Sequence, residues 1–243
     1  MRLPTQLTAV CVACLLLTAG CAAPTNSPDS SPALTANDVT DTSAVIQAHT
    51  ATLRSQPFTA RSTTTVRDAN DTFQLTINRT WTVDPHQPVR ALALRTTTAT
   101  GDAPTRYQQA PARTVAWRHG TDTTRRVGTG NDTQIQTVEL LNSSVRLNRA
   151  LHRQLLYRYS TRQNATVETL TRNGTQLYRV HADLNDTHVT SNASMTLLVS
   201  QEGYVQQIKT RQTVEYRSGP RVITQTVRFS RIGTTTVETP SWV

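Results

Sequence analysis

Three cysteines and six histidines are the residues of this 243-residue chain best suited to nucleophilic, redox or metal chemistry. Cys11 and Cys14 have the C-x-x-C spacing that in a folded domain can cycle between dithiol and disulfide. Here they fall inside an apolar run over residues 7–17 that follows Arg2 and is too short for a stable membrane span. The remaining cysteine closes the run Leu17-Thr18-Ala19-Gly20-Cys21, and none follows it. Everything downstream therefore lacks both a disulfide and a thiol nucleophile. The histidines (His49, His86, His119, His152, His181, His188) are dispersed. None forms H-x-x-x-H, and no cysteine remains to complete a zinc set. His181, Asp183, Asp186 and His188 make the only local His/Asp cluster, around a turn that holds Asn185; a polar hairpin tip is its expected role. The chain has no G-x-S-x-G, no P-loop and no G-x-G-x-x-G. Its 16 acidic residues do not single out a carboxylate pair for glycosidase chemistry. The expectation is a non-enzymatic protein with no metal and no cofactor.

The segment ending at Cys21 resembles the lipobox of bacterial and archaeal lipoproteins: a positive start, an apolar stretch, small residues, then a cysteine. That resemblance implies a signal peptide over residues 1–20 and a lipid on the Cys21 sulfur. The protein would then be held at the outer face of the cytoplasmic membrane. No twin arginine is present, which favours a general secretory route. Residues 22–41, AAPTNSPDSSPALTANDVTD, contain almost nothing to bury and read as a disordered tether. Residues 21–41 would thus form a lipidated linker, with a single β-rich domain over 42–243.

The elements of that domain follow from composition and spacing. The chain contains 45 Thr, and Thr and Val favour strands because a branched Cβ suits a pleated surface. Asp41 or Ser43 can cap a short helix over about 43–55, with Val45, Ile46, Ala48 and Leu53 as its apolar stripe and Pro57 after its end. Phe73, Leu75, Ile77, Trp81 and Val83 alternate with polar residues, interrupted only by Arg79, as in a half-buried antiparallel strand. Similar runs lie at 58–67, 89–98, 113–119, 165–172, 176–183, 194–200, 204–216 and 221–232, and Asn173-Gly174 is the strongest hairpin signal between them. A second helix is expected at about 143–157, where Leu147, Leu151 and Leu155 are spaced i, i+4, i+8 and Arg146, Arg149 and Arg153 occupy the other side. Such a helix packs its stripe on the sheet or lies on a membrane surface. Hairpin-length connections predict a mainly β (α+β) fold: a curved antiparallel sheet or half-barrel, with the two helices on its concave face.

The lipobox, the Thr/Pro/Ser tether, the Thr-rich strands, the central Leu-rich helix and the terminal Pro240-Ser241-Trp242-Val243 together resemble a family of uncharacterised haloarchaeal lipoproteins. The 24 Arg against one Lys (Lys209) fit that likeness; the net charge of +9 departs from the acidic balance usual in halophiles. The layout is also similar to lipoprotein carriers of the LolA and LppX type. That resemblance implies an apolar ligand held between sheet and helix, with Phe73, Leu75, Ile77 and Trp81 facing Leu147, Leu151 and Leu155. The same alternation also describes a filled core.

Eight triplets satisfy Asn-x-Ser/Thr: Asn70, Asn78, Asn131, Asn142, Asn164, Asn173, Asn185 and Asn192. All but Asn78, which falls mid-strand, are candidate glycan acceptors, with some and not all of them expected to be occupied. The basic charge attracts polyanions. Export makes nucleic acid an unexpected partner and leaves the membrane, an apolar ligand, or acidic envelope glycans or proteins. Two roles stay open, a carrier of an apolar ligand and a structural or adhesive envelope module; a hydrolase is a third.

Overall fold

Asp41 starts the first element. Its backbone is extended and its carboxylate accepts from the Ala44 N–H at 3.0 Å, which caps helix α1, Thr42–Ser55. This computed structural model describes residues 41–129, 132–139, 143–160 and 165–243, all within one compact unit, Pro32–Val243. Val45, Ile46, His49 and Leu53 form the buried stripe of α1, and Gln56 turns to extended backbone just before Pro57.

The chain then runs as a meander: β1 (Phe58–Asp68), β2 (Phe73–Asp84), β3 (Arg90–Gly101), the single turn α2 (Thr105–Gln108), β4 (Arg113–His119), β5 (Asp122–Thr129) and β6 (Asp132–Glu139). Helices α3 (Ser143–Ala150) and α4 (Arg153–Ser160) follow. A second meander closes the chain: β7 (Ala165–Arg172), β8 (Thr175–Leu184), β9 (Thr190–Ser200), β10 (Val205–Tyr216) and β11 (Gly219–Ser230). All eleven strands make one antiparallel sheet in the order β6-β5-β4-β3-β2-β1-β11-β10-β9-β8-β7. The sheet is open, with edges at β6 and β7. The predicted mainly β class with helices on one face is what the structure shows.

Turn chemistry sets the registers. Asn173 and Gly174 both adopt positive φ (51° and 76°) between the paired Arg172 and Thr175, the two-residue turn expected from the Asn-Gly signal. At the β3 end, Gly101 has φ 69°, and a Cβ there would overlap the Thr72 carbonyl oxygen, which already accepts from the Asp102 N–H at 3.1 Å.

Two expectations need correction. Strands β5 and β6 were not predicted from residues 122–139. Arg125, Arg126, Gln134 and Gln136 supply no apolar alternation there; pairing of β5 to β4 and of β6 to β5 makes the strands instead. The helix expected over 143–157 is two helices. His152 has φ 52° and breaks it. The Leu155 N–H bonds to the His152 carbonyl at 3.0 Å, so the Leu151 carbonyl loses the partner a continuous helix would give it.

The main core lies between the sheet and the helices. Leu53 of α1, Leu151 and Leu156 around the α3–α4 break, Phe58 of β1 and Ile208 of β10 are wholly buried in it. One strand face supplies its part, because side chains alternate across the pleat.

Candidate functional site

The face of β2–β4 beneath the helices is built differently from the rest of the core. Register pairs Trp81 with Ala93 and Ala93 with Ala116, so these three share the helix-covered face. Leu92 and its partner Trp117 point the other way. Beside Trp81 the inward positions of β3 and β4 are therefore small, Ala93 and Ala116, while the larger Leu92 and Trp117 face outward.

 Leu147 and Ala150 of α3 cover this patch without filling it. An apolar pocket of about 180 Å³ remains, with Val83, Val89 and Ala91 as its deeper wall and Arg118 and Thr123 at one side.

The pocket continues into a groove of about 910 Å³, the two spaces sharing Trp81, Ala93, Ala116 and Arg149. The groove is more polar than the pocket. Its walls carry Arg79 of β2, Arg95 of β3, Arg149 of α3, and His152, Arg153 and Arg158 at the start and within α4. Among the described residues no carboxylate lines it. Arg79 and Arg95 are direct cross-strand partners, so two like charges stand side by side on a half-buried face. Burial first, then the charges of Arg95 and Arg149, holds the Arg79 guanidinium below its usual pKa.

Two histidines fix the helices over this site. His49 is wholly buried. Its Nδ1 accepts from the Val205 N–H at 3.2 Å, so Nε2 carries the proton and donates to the Leu151 carbonyl at 3.1 Å. The carbonyl released by the helix break thus finds its donor on α1. His152 stands edge-on to Trp81, ring centroids 5.2 Å apart, and its Nε2 is buried with no hydrogen-bond partner. Desolvation, set against the Leu151 hydrogen bond, lowers His49 to about 4; desolvation with the charges of Arg79 and His49 lowers His152 to about 4.

The seven residues expected to line a cavity are placed as follows. Trp81 and Leu147 line the apolar pocket, and Trp81 and Leu155 line the groove. Leu151 is wholly buried in the core. Phe73 and Leu75 belong to a second cluster with Ala103, and Ile77 packs against it. Arg79 divides that end of β2 from Trp81, and Tyr107 of α2 stacks on Phe73 with ring centroids 6.5 Å apart. Arg149 and Arg153 are legible in the sequence as the basic side of the second helix, but the cluster they form with Arg79 and Arg95 is not. Arg79 was visible there only as a break in the alternation, and its register against Arg95 is a property of the folded sheet.

Among the acceptor asparagines, Asn70, Asn173 and Asn185 are exposed in or beside turns, and Asn192 is exposed near the start of β9. Asn78 is also exposed, on the sheet face away from the helices, where its Oδ1 accepts from Thr63 Oγ1 at 2.8 Å. Cys21, Asn131, Asn142 and Asn164 lie outside the described residues. His181 Nε2 stands 3.4 Å from Asp183 Oδ1, both exposed, while Asp186 Oδ1 accepts from the Asn192 N–H. No group of three or more metal-ligating side chains occurs among the described residues.

The fold and site define a class: an open antiparallel sheet with helices across one face and a groove between them. No family model and no curated protein matches the chain. Solved structures similar to it include a DUF1329 family protein from Desulfovibrio piger (7% identity, 82% of this chain and 93% of that one, TM-score 0.29). Others are the MucA/MucB complex of Pseudomonas aeruginosa (11%, 83% and 59%, TM-score 0.36) and a putative outer membrane lipoprotein-sorting protein domain from Vibrio parahaemolyticus (9%, 79% and 94%, TM-score 0.27). At these scores the likenesses carry no argument about what this chain binds.

Proposed function

We propose that the domain is a non-enzymatic binding module that takes an apolar ligand between β2–β4 and α3. The observation that carries this reading is the alanine-lined pocket of about 180 Å³ beneath Leu147 and Ala150, open to the groove through Trp81. A core built only for stability fills such space, since unfilled apolar volume lowers stability. Ligand sites combine an apolar surface with a few placed polar groups, which is the composition found here.

The test is titration of the purified full chain with N-phenyl-1-naphthylamine, an apolar dye that fluoresces when removed from water. Saturable one-to-one binding in the low micromolar range, about −7 to −8 kcal/mol, is expected. A linear, unsaturable signal would sink the proposal.

We further propose that Cys21 carries a lipid that holds this module at the outer face of the membrane. The support is the sequence Leu17-Thr18-Ala19-Gly20-Cys21 after its apolar run. Cys21→Ser is expected to release the protein to the medium or to leave the leader uncleaved. A cleaved Cys21→Ser protein still bound to membranes would rule out the lipid.

A further inference from the structure

The groove gives the ligand a second end. Arg79 and Arg95 are opposed across β2 and β3, and Arg149 of α3 is close enough to act electrostatically on Arg79. Like charges directly opposite on a sheet are destabilising. Among the described residues, no Asp or Glu stands within 4.0 Å of Arg79, Arg95, Arg149 or Arg153 to offset this. The acids that do pair with arginine, Asp84 with Arg90 and Glu168 with Arg179, are elsewhere. Arg95 Nε and Arg153 Nε are buried donors without a partner, and both belong to the groove wall. Buried donors are normally satisfied, and two left over around one concavity call for an acceptor there. The apolar pocket opens onto the same arginines through Arg149.

We propose that the ligand is an anionic amphiphile, its charged head against Arg79, Arg95 and Arg149 and its apolar tail beneath Trp81. The inference rests on the binding-module reading and goes further by fixing the chemistry of both ends. An anion placed there accepts from the unused guanidinium donors and removes the repulsion between Arg79 and Arg95. A neutral amphiphile fills the pocket but leaves both defects in place.

The test compares three probes on the full chain by calorimetry, at concentrations where they are monomeric: dodecyl phosphate, dodecyl maltoside and inorganic phosphate. Dodecyl phosphate is expected to bind about tenfold or more tightly than dodecyl maltoside, the range of a charge-assisted hydrogen bond or two. The double variant Arg79→Gln/Arg95→Gln is expected to bring the two within about twofold of each other while dodecyl maltoside still binds. Arg149→Gln, at an exposed position, narrows the gap without touching the sheet and serves if the double variant does not fold. Equal affinity for the two amphiphiles overturns the anionic head and leaves the apolar module standing. Binding of neither overturns both. Inorganic phosphate binding as tightly as dodecyl phosphate overturns the tail and makes the groove a site for a free anion.

Discussion

Lowering the pH from 7 to 4 is expected to remove about 6 kcal/mol of folding stability, most of what a domain of this kind has. His49 and His152 are the cause. In the unfolded chain both imidazoles titrate near 6.5; in the folded protein both are held at about 4. As the pH falls, the unfolded state takes up these protons first. Stability is therefore whole above 6.5, declines through the window down to 4, and levels below it. Each group contributes about 3 kcal/mol over that window. His49 has no room for a second proton, because Nδ1 is already the acceptor for Val205. Asp84, whose pKa lies below the ordinary 3.8, loses its contribution only at lower pH and does not enter the window. Urea unfolding at pH 7, 5.5 and 4 measures the effect. His152→Asn keeps a residue that tolerates positive φ and is expected to remove about half of the pH dependence. An unchanged midpoint at pH 4 would show that neither histidine is neutral in the fold.

The second large effect concerns the pocket. Ala93→Phe places a ring in the space shared by pocket and groove. Affinity for N-phenyl-1-naphthylamine is expected to fall by about tenfold or more. The melting temperature should hold or rise, since the ring buries apolar surface in space that is already empty. Leu92→Phe, one residue away but on the opposite face, is the matched control and should bind the dye as the parent does. If Ala93→Phe binds the dye unchanged, the ligand does not enter this pocket.

Much of the fold was legible in the sequence because its signals are local. Asp41 as a cap, Asn173-Gly174 as a turn and the alternation from Phe73 to Val83 each act over a few residues. Strands β5 and β6 were not legible, since polar residues such as Arg125, Arg126, Gln134 and Gln136 break any apolar alternation and pairing alone makes the strands. The break at His152 was hidden because Leu147, Leu151 and Leu155 keep perfect helical spacing on either side of it. Of the site, Trp81, Leu147 and Leu155 could be read from their apolar stripes. The arginine cluster could not, because Arg79, Arg95 and Arg149 lie on three elements and meet only through register and packing. His49 and His152 looked like scattered polar residues; their burial depends on a carbonyl that a helix break sets free.

The bonding of β1 to β11 has a consequence for how the molecule is assembled in time. Each meander is made of neighbours in sequence and can form with short loops to close. The seam between them joins residues distant along the chain: Ser62 and Gln225, hydrogen-bonded across it, are 163 positions apart. Closing so long a loop carries a larger entropic cost and slows the step that contains it. Among the described strands, β11 is also the last to be synthesised. Until it emerges, β1 presents a bare edge at what becomes the centre of the protein, and such edges attract other chains. A product truncated before Gly219 would therefore lose its middle and not its margin.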